Sequence, residues 1–328
     1  MTKTATKQGF TSKPLFKQLL LLVLLIVLIE IMNLITGSNM LSMKNITKNI
    51  LPQAVFPTVV AWGMMFIFGT GLVDLSIGAQ VILGANIGAI LAMDAGLGYV
   101  GLIIAPFIVI VICELVVVFC SEILKIPGWI AGLGSGLIFE AIMVMWTQAR
   151  SKTAGSAVIT LGDDLRVLGR WPVNVIIMVV IFVIVYLLYN RTSIGINLKA
   201  IGGDPGVSSA VGINRRKALV IAAVIGALIV GASAILNISK AGSISASSGL
   251  ASLSTIFKAL AVTLIANSLS AWVSEPVGAF GAGIFVSSLF NFLTIMGVQA
   301  GTLQEVILGA VVIICGVLAR LNYKGVAK

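Results

Sequence analysis

Long apolar runs alternate with short polar segments along almost the whole chain. A helix needs about 20 mostly apolar residues to cross the hydrocarbon core of a bilayer. The pattern predicts ten such spans, at about 17–36, 53–71, 75–93, 99–121, 128–148, 172–190, 218–237, 254–273, 277–295 and 302–320. The run at 75–93 follows the previous one after only a few residues. We therefore expect a short or broken helix there, held by neighbouring helices rather than facing lipid.

The composition assigns the chain to the integral membrane proteins. Of its 328 residues, 59% are hydrophobic and 10% are charged, whereas a soluble domain carries about 25% charged residues. Only lipid can act as the solvent for so much apolar surface. We predict an all-α membrane protein with about ten transmembrane helices. It has one transmembrane domain, 17–320, between polar tails at 1–16 and 321–328.

The basic residues predict the orientation of the chain. The net charge of +10 is compatible with nucleic-acid binding, but membrane proteins also concentrate Lys and Arg on the cytoplasmic side. With a cytoplasmic N-terminus, thirteen of the 21 Lys and Arg residues fall inside, seven fall outside and Lys258 falls in a span. We therefore predict that both termini and the polar loop 191–217 are cytoplasmic, and that the chain binds no nucleic acid.

Few groups capable of catalysis lie within the predicted spans. Glu114 and Glu140 lie well inside them, and a carboxylate in a membrane is a functional candidate. The chain has no histidine, and no second carboxylate lies at helical spacing from either glutamate. A G-x-x-x-x-G-K-[ST] phosphate-binding motif is also missing from the sequence. We predict that the chain is not an enzyme and holds no metal or cofactor.

Uncharged polar and aromatic side chains in the spans suit a polar, uncharged substrate. Amides can match hydroxyl groups, and aromatic faces can pack against an uncharged ring. The candidate pathway residues are Asn86, Asn237, Asn267, Asn291, Phe292 and Trp62, together with one acidic residue, Glu140. The same residues would also serve as interhelical hydrogen-bond partners or interfacial anchors. The sequence leaves both roles open.

The cytoplasmic loop contains a predicted docking element. Residues 204–212 read DPGVSSAVG, in which Asp204 suits a helix N-cap and Pro205 suits the first turn. The small apolar residues that follow share one helix face, and this short helix has nothing of its own to pack against. We expect a cytoplasmic partner to bind it. The predicted coupling residues are Gly202, Gly203, Asp204, Pro205, Gly206, Val207, Ser208, Ser209, Ala210, Val211, Gly212 and Ile213.

Three stretches resemble the ribose and galactose permease family of sugar-type ABC importers. AIGGDPGVSSAVGIN at 200–214 resembles the family's A-x-G-G-[ND]-x-x-[AS]-x-x-x-G-I-[ND] loop. KNILPQAVFPTVVAWGM at 48–64 is similar to its second span, and GLVDLSIGAQVILGA at 71–85 to its G-I-D-L-S-V-G signature. The segment 253–281 departs from the family, because it lacks the expected double glycine and the glycine cluster.

The resemblance implies a transmembrane permease subunit of an importer in the bacterial plasma membrane. It implies a cytoplasmic ATPase that carries ATP and magnesium and binds the 204–212 helix. It also implies an external sugar-binding protein and a homodimer or a heterodimer of permeases. The substrate would be a monosaccharide or related polyol. The alternatives are a permease for nucleosides or branched-chain amino acids, or an ion-coupled secondary carrier.

Overall fold

The computed structural model describes residues 14–37, 40–203, 212–270, 272–298 and 301–323. Of the described residues, 79% are helical. The helices are α1 Pro14–Thr36, α2 Met43–Phe68, α3 Ile77–Met93, α4 Gly98–Glu122, α5 Gly128–Ala154, α6 Val173–Arg191, α7 Ser193–Gly203, α8 Arg215–Ala241, α9 Leu253–Ser268, α10 Glu275–Ile295 and α11 Thr302–Tyr323. The strands β1 Ile159–Thr160 and β2 Ser243–Ile244 pair antiparallel. A 3-10 helix, Asp163–Gly169, precedes α6.

The helices agree with the predicted membrane spans. In the described part of the chain, a helix lies at each of the ten predicted positions, and α7 is an additional short helix. Six of the described helices, α2, α4, α5, α6, α8 and α10, are long and apolar enough to cross a membrane. The other four helices at predicted spans contain shorter apolar stretches. The prediction of an all-α membrane protein is confirmed.

Helices α2 and α8 form the centre of the bundle. The most apolar window of α2 is 83% buried, whereas that of α6 is only 22% buried and faces outwards. The two central helices cross at Gly63 and Gly226, where a methyl group added to Gly226 would lie 2.9 Å from the Gly63 carbonyl oxygen. In lipid, small residues stabilise helix pairs because they let the backbones approach closely. The remaining helices surround this crossing.

Two glycines of α3 let it pack closely against α4. A methyl group on Gly84 would lie 2.9 Å from Ile110 Cδ1, and one on Gly88 would lie 2.8 Å from Pro106 Cγ. Both neighbours belong to α4, so the two glycines seat α3 closely against that helix. This contact positions the buried polar residues of α3 described below.

Polar contacts join the helix ends at the two poles of the bundle. At one pole, Arg150 Nη2 donates to Asp94 Oδ1 at 2.9 Å, and this hydrogen bond lowers the pKa of Asp94 below its ordinary value. The β1–β2 pair lies at the same pole. At the other pole, Arg215 lies 3.6 Å from Glu122.

Candidate functional site: two helix breaks inside the bundle

The first helix break lies between α2 and α3. Residues 72–76 are not helical, yet Leu72 and Asp74 are buried. The segment runs along α5, where a methyl group on Gly132 would lie 2.6 Å from the Leu75 nitrogen. Helix α3 then starts near Gly136, two turns into α5. The prediction of a short or broken helix in this region is confirmed, because α3 has 17 residues and most of them are buried.

A buried polar cluster holds this first break. Asp74 Oδ1 accepts a hydrogen bond from the Ser76 backbone N–H at 2.7 Å, and Asp74 Oδ2 accepts from the Ser76 hydroxyl at 3.0 Å. Gln80 Nε2 donates to Asp74 Oδ2 and to Glu114 Oε2, each at 2.9 Å. Burying a carboxylate without hydrogen bonds is very unfavourable. The Gln80 amide therefore links the two acidic groups and fixes the start of α3 against α4.

The second break lies between β2 and α9 and is held by Glu140. The Leu250 N–H donates to Glu140 Oε2 at 2.8 Å, and the Ser252 N–H donates to Glu140 Oε1 at 2.9 Å. Glu140 itself is only 1% exposed and lies near the middle of α5. A carboxylate at a helix start satisfies backbone N–H groups and complements the helix dipole. Helix α9, with 16 residues, therefore starts inside the bundle.

The two breaks touch each other. Gly78, in the first turn of α3, lies against the Ser252 carbonyl group so closely that there is no room for a side chain. Irregular backbone at membrane depth is tolerated only where it is buried in protein or lines a cavity. Discontinuous helices of this kind build the substrate and ion sites of many transporters. The meeting of the breaks is the strongest candidate for a functional site.

The predicted pathway residues include one residue of this candidate site and omit the others. Glu140 was predicted as a pathway residue, and it holds the second break. Asp74, Ser76 and Gln80 were not among the predicted site residues. Asp74 lies 40 positions before Glu114 in the numbering, and only the packing of α3 on α4 brings them together. The available signal was a short polar segment, DLS at 74–76, directly before a short apolar run.

Two predicted pathway residues, Trp62 and Asn86, are buried between different pairs of helices. Trp62 is fully buried, and its Nε1 donates to the Pro276 carbonyl at 3.0 Å, which joins α2 to α10. Asn86 is buried between α3 and α5, beside Met143 and Thr147. Neither polar side-chain atom of Asn86 has a hydrogen-bond partner within the described part of the chain.

The other predicted pathway residues lie on α8, α9 and α10. Asn267 is exposed and lines a cavity of about 290 Å³ beside Tyr189 and Glu275. Asn237 and Phe292 are half-buried, whereas Asn291 is buried. No hydrogen bond among the described residues joins any two members of the predicted set. Their role in translocation stays a prediction.

The centre of the predicted docking element, 204–211, lies outside the described residues. Its flanks are described: α7 ends at Gly203, and Gly212 has a positive φ of 83°. The Asn214 side chain then caps α8 by accepting a hydrogen bond from the Lys217 N–H at 3.0 Å. A cavity of about 430 Å³ lies between α7 and the start of α8 and is lined by Asn197 and Ile213 among others.

Comparison with known proteins identifies the family. Residues 46–316 match the family described as "Branched-chain amino acid transport system / permease component". The chain belongs to this permease family. It is a family of membrane transport components and not of enzymes. Together with the long apolar helices, the match assigns the chain to the bacterial inner membrane as a multi-pass protein.

Individual relatives cover nearly the whole chain. The chain is 27% identical to the ribose import permease protein RbsC of Haemophilus influenzae over 93% of both chains. It is 29% identical to the RbsC protein of Bacillus subtilis, over 91% of this chain and 90% of that one. It is also 26% identical to the galactose/methyl galactoside import permease protein MglC of Escherichia coli, over 92% and 93% respectively. No solved structure matches this chain.

Proposed function

We propose that this chain is the transmembrane permease subunit of an ABC importer that moves a monosaccharide or related polyol into the cell. The observation that carries the proposal is the contact between the two helix breaks, Gly78 against Ser252, inside an otherwise helical bundle. Permeases named for ribose and galactose align with the chain over nine tenths of its length or more. That alignment favours a sugar as the substrate.

The proposed topology has ten spans and two cytoplasmic termini, with a transmembrane domain at 17–320. The excess of Lys and Arg on the proposed inner side supports this orientation. The contact between Glu122 and Arg215 would then lie at the cytoplasmic surface, and the pair Asp94 and Arg150 at the outer surface. No ionic contact in the described structure joins the two proposed surfaces.

Importing against a gradient requires partners. A separate ATPase would bind ATP and magnesium and dock on the 204–212 helix, and an external binding protein would deliver the sugar. A second permease, identical or different, would complete the pathway. Helix α7, which leads into the docking segment, supports this arrangement because its Gly202 packs on the end of α2: a methyl group there would lie 2.7 Å from the Gly69 carbonyl oxygen.

Movement of the docking segment would therefore reach the first helix break directly. The chain passes from Gly69 through the non-helical segment 72–76 into α3, whose first turn contacts the second break through Gly78. Close-packed contacts transmit displacement because protein interiors have low compressibility. This path connects ATP hydrolysis on a partner to the centre of the bundle.

A branched-chain amino acid is the second candidate substrate, because the family description itself names that class. An amino acid carries a carboxylate and an ammonium group, whereas a neutral sugar carries only hydroxyl groups. Uptake of labelled ribose, galactose and leucine by cells that express the complete importer separates the two candidates. We expect sugar uptake and no leucine uptake.

The decisive test of the proposed mechanism is Ala210→Glu. A carboxylate at the centre of the docking face would be buried without a partner and would block binding. We expect the variant to insert normally, to lose the co-purifying ATPase and to lose sugar uptake. Lys152→Glu, at an exposed position far along the chain from the docking segment, is the matched control and should retain both. Normal ATPase binding by Ala210→Glu would remove the docking element from the proposal.

A further inference from the structure

A hydrogen bond between two side chains joins the end of α6 to the start of α10. The Tyr189 hydroxyl group donates to Glu275 Oε2 at 2.5 Å, although the two residues are 86 positions apart in the chain. Glu275 is the first residue of α10. The Tyr189 side chain is only 3% exposed, and its ring packs edge-on against Phe66 of α2, with the ring centroids 5.8 Å apart. The bond therefore has a fixed place in the fold.

Helix α7, which leads into the docking segment, contacts Tyr189 at two points. A methyl group on Gly195, in the first turn of α7, would overlap the Tyr189 carbonyl group. Lys199, one turn later, has its Nζ 4.4 Å from the centroid of the Tyr189 ring and donates to Asn190 Oδ1 at 3.4 Å. A cation over an aromatic ring is attracted by the negative face of the ring. Both the backbone and the ring of Tyr189 are therefore in contact with α7.

The start of α10 is connected to the second helix break through α9. A methyl group on Gly278, in the first turn of α10, would lie 3.3 Å from the Ala266 Cα atom, near the end of α9. Helix α9 begins at Leu253, directly after the break that Glu140 holds. Close-packed helices transmit displacement because protein interiors have low compressibility. A shift at the start of α10 would therefore reach the second break along α9.

A cavity leaves room for movement at this junction. Its volume is about 290 Å³, and Tyr189, Lys199, Gly202 and Glu275 are among the residues that line it. Well-packed protein interiors contain few voids larger than a water molecule. The space allows the Tyr189 and Lys199 side chains to shift relative to α10 without steric overlap. The hydrogen bond, and not packing alone, therefore sets the position of Tyr189 relative to Glu275.

We propose that Tyr189 is a positioning residue for energy coupling, because its hydrogen bond to Glu275 transmits movement of α7 to α10 and so to the second break. The inference rests on the proposed function and deepens it. The contact of Gly202 with Gly69 connects α7 to the first break, and the Tyr189 link connects the same helix to the second. Both breaks then move together when α7 moves. Without the link, the ATPase still docks and hydrolyses ATP, but the second break does not follow.

The test is Tyr189→Phe, which removes the hydroxyl group and keeps the ring. Uptake of labelled ribose and galactose and hydrolysis of ATP are measured together on the complete importer in vesicles. We expect the ATPase to co-purify and the ATP hydrolysed per sugar imported to rise about tenfold, corresponding to about 1.4 kcal/mol. The matched control is Tyr186→Phe, one turn earlier on α6. Its ring packs on Phe182, its hydroxyl group has no hydrogen-bond partner among the described residues, and the ratio should equal that of the wild type.

Variants of Glu275 test whether the two residues act through their mutual hydrogen bond. Glu275→Gln keeps an oxygen that accepts from Tyr189, so it should retain most of the coupling. Glu275→Leu removes the acceptor and should raise the ratio of ATP to sugar as much as Tyr189→Phe does. Residues that act through one contact have non-additive effects. The double variant Tyr189→Phe with Glu275→Leu should therefore be no worse than either single variant, and additive effects would overturn the inference.

The other outcomes separate the inference from the proposed function. Sugar uptake by the wild type with an unchanged ratio in Tyr189→Phe overturns the inference alone. Loss of the co-purifying ATPase in Tyr189→Phe also overturns it, because Tyr189 would then shape the docking surface. Uptake of neither sugar by the wild type contradicts the proposed function itself. If Tyr189→Phe does not accumulate, Lys199→Gln, at an exposed position, should raise the ratio about threefold through loss of the cation–π contact, and an unchanged ratio there overturns the inference.

Discussion

The Glu140 carboxylate lies 2.9 Å from the backbone nitrogen of Ser252, although the two residues are 112 positions apart in the chain. A helix start normally finds its partners within its own first turn. Here the Ser252 side chain makes no capping hydrogen bond, and a carboxylate from the middle of α5 instead binds the backbone N–H groups of Leu250 and Ser252, directly before α9. The contact makes the position of the second helix break depend on α5, which also lines the first break.

Glu140→Gln should destabilise the protein. Both carboxylate oxygens accept from backbone N–H groups, whereas Gln offers only one oxygen. The N–H group left unpaired costs about 1–3 kcal/mol. We expect a lower melting temperature in detergent and reduced uptake. The matched control is Glu305→Gln, at an exposed position near the start of α11. A wild-type melting temperature in Glu140→Gln would show that these two hydrogen bonds are dispensable.

Replacing Gln80 tests the first break. Gln80→Glu removes the one amide that donates to both Asp74 and Glu114, and adds a third carboxyl group to the cluster. An unpaired buried charge costs about 3–5 kcal/mol, so we expect little folded protein in the membrane. Glu114→Gln is the matched control, because it keeps a side-chain oxygen for Gln80 to donate to. Equal accumulation of the two variants would contradict the importance of this cluster.

Gly202→Ala tests the contact between α7 and α2. The new methyl group would meet the Gly69 carbonyl oxygen, which is backbone and can move only with the end of α2. We expect the ATPase still to co-purify, since the docking face is unchanged, while uptake falls about tenfold, corresponding to about 1.4 kcal/mol. Gly309→Ala, with no neighbour near the added methyl group, should behave as wild type.

Two other outcomes for Gly202→Ala would contradict this route of coupling. Wild-type uptake by Gly202→Ala, together with loss of docking in Ala210→Glu, would show that force reaches the bundle by another route. Loss of ATPase binding in Gly202→Ala would instead mean that α7 forms part of the docking surface.

The predicted orientation is tested by single cysteines at Ser156 and Ser208. Ser156 is exposed in the segment between α5 and β1, and Ser208 belongs to the predicted docking helix. With a membrane-impermeant thiol reagent and intact cells, we expect labelling at position 156 and none at 208 until the cells are opened. Labelling of 208 alone would show that the chain has the opposite orientation.

The sequence by itself determined the helices and the class of protein. Apolar runs of span length identify membrane helices because backbone groups in lipid must be satisfied within the segment. The run at 75–93 also predicted a short or broken helix, and α3 has only 17 residues. Gly84 and Gly88 lie four residues apart in the sequence, a spacing of small residues that permits close packing in lipid.

Only the tertiary structure decided which polar groups meet. Asp74 and Glu114 share the Gln80 amide, and Glu140 reaches the start of α9, through contacts between helices distant in sequence. Hydrogen bonds extend over about 3 Å, so the partner of a buried carboxylate depends on helix rotation and depth. A periodic pattern shows that a residue faces inwards, but the rotation and depth follow from the packing of all the neighbouring helices together.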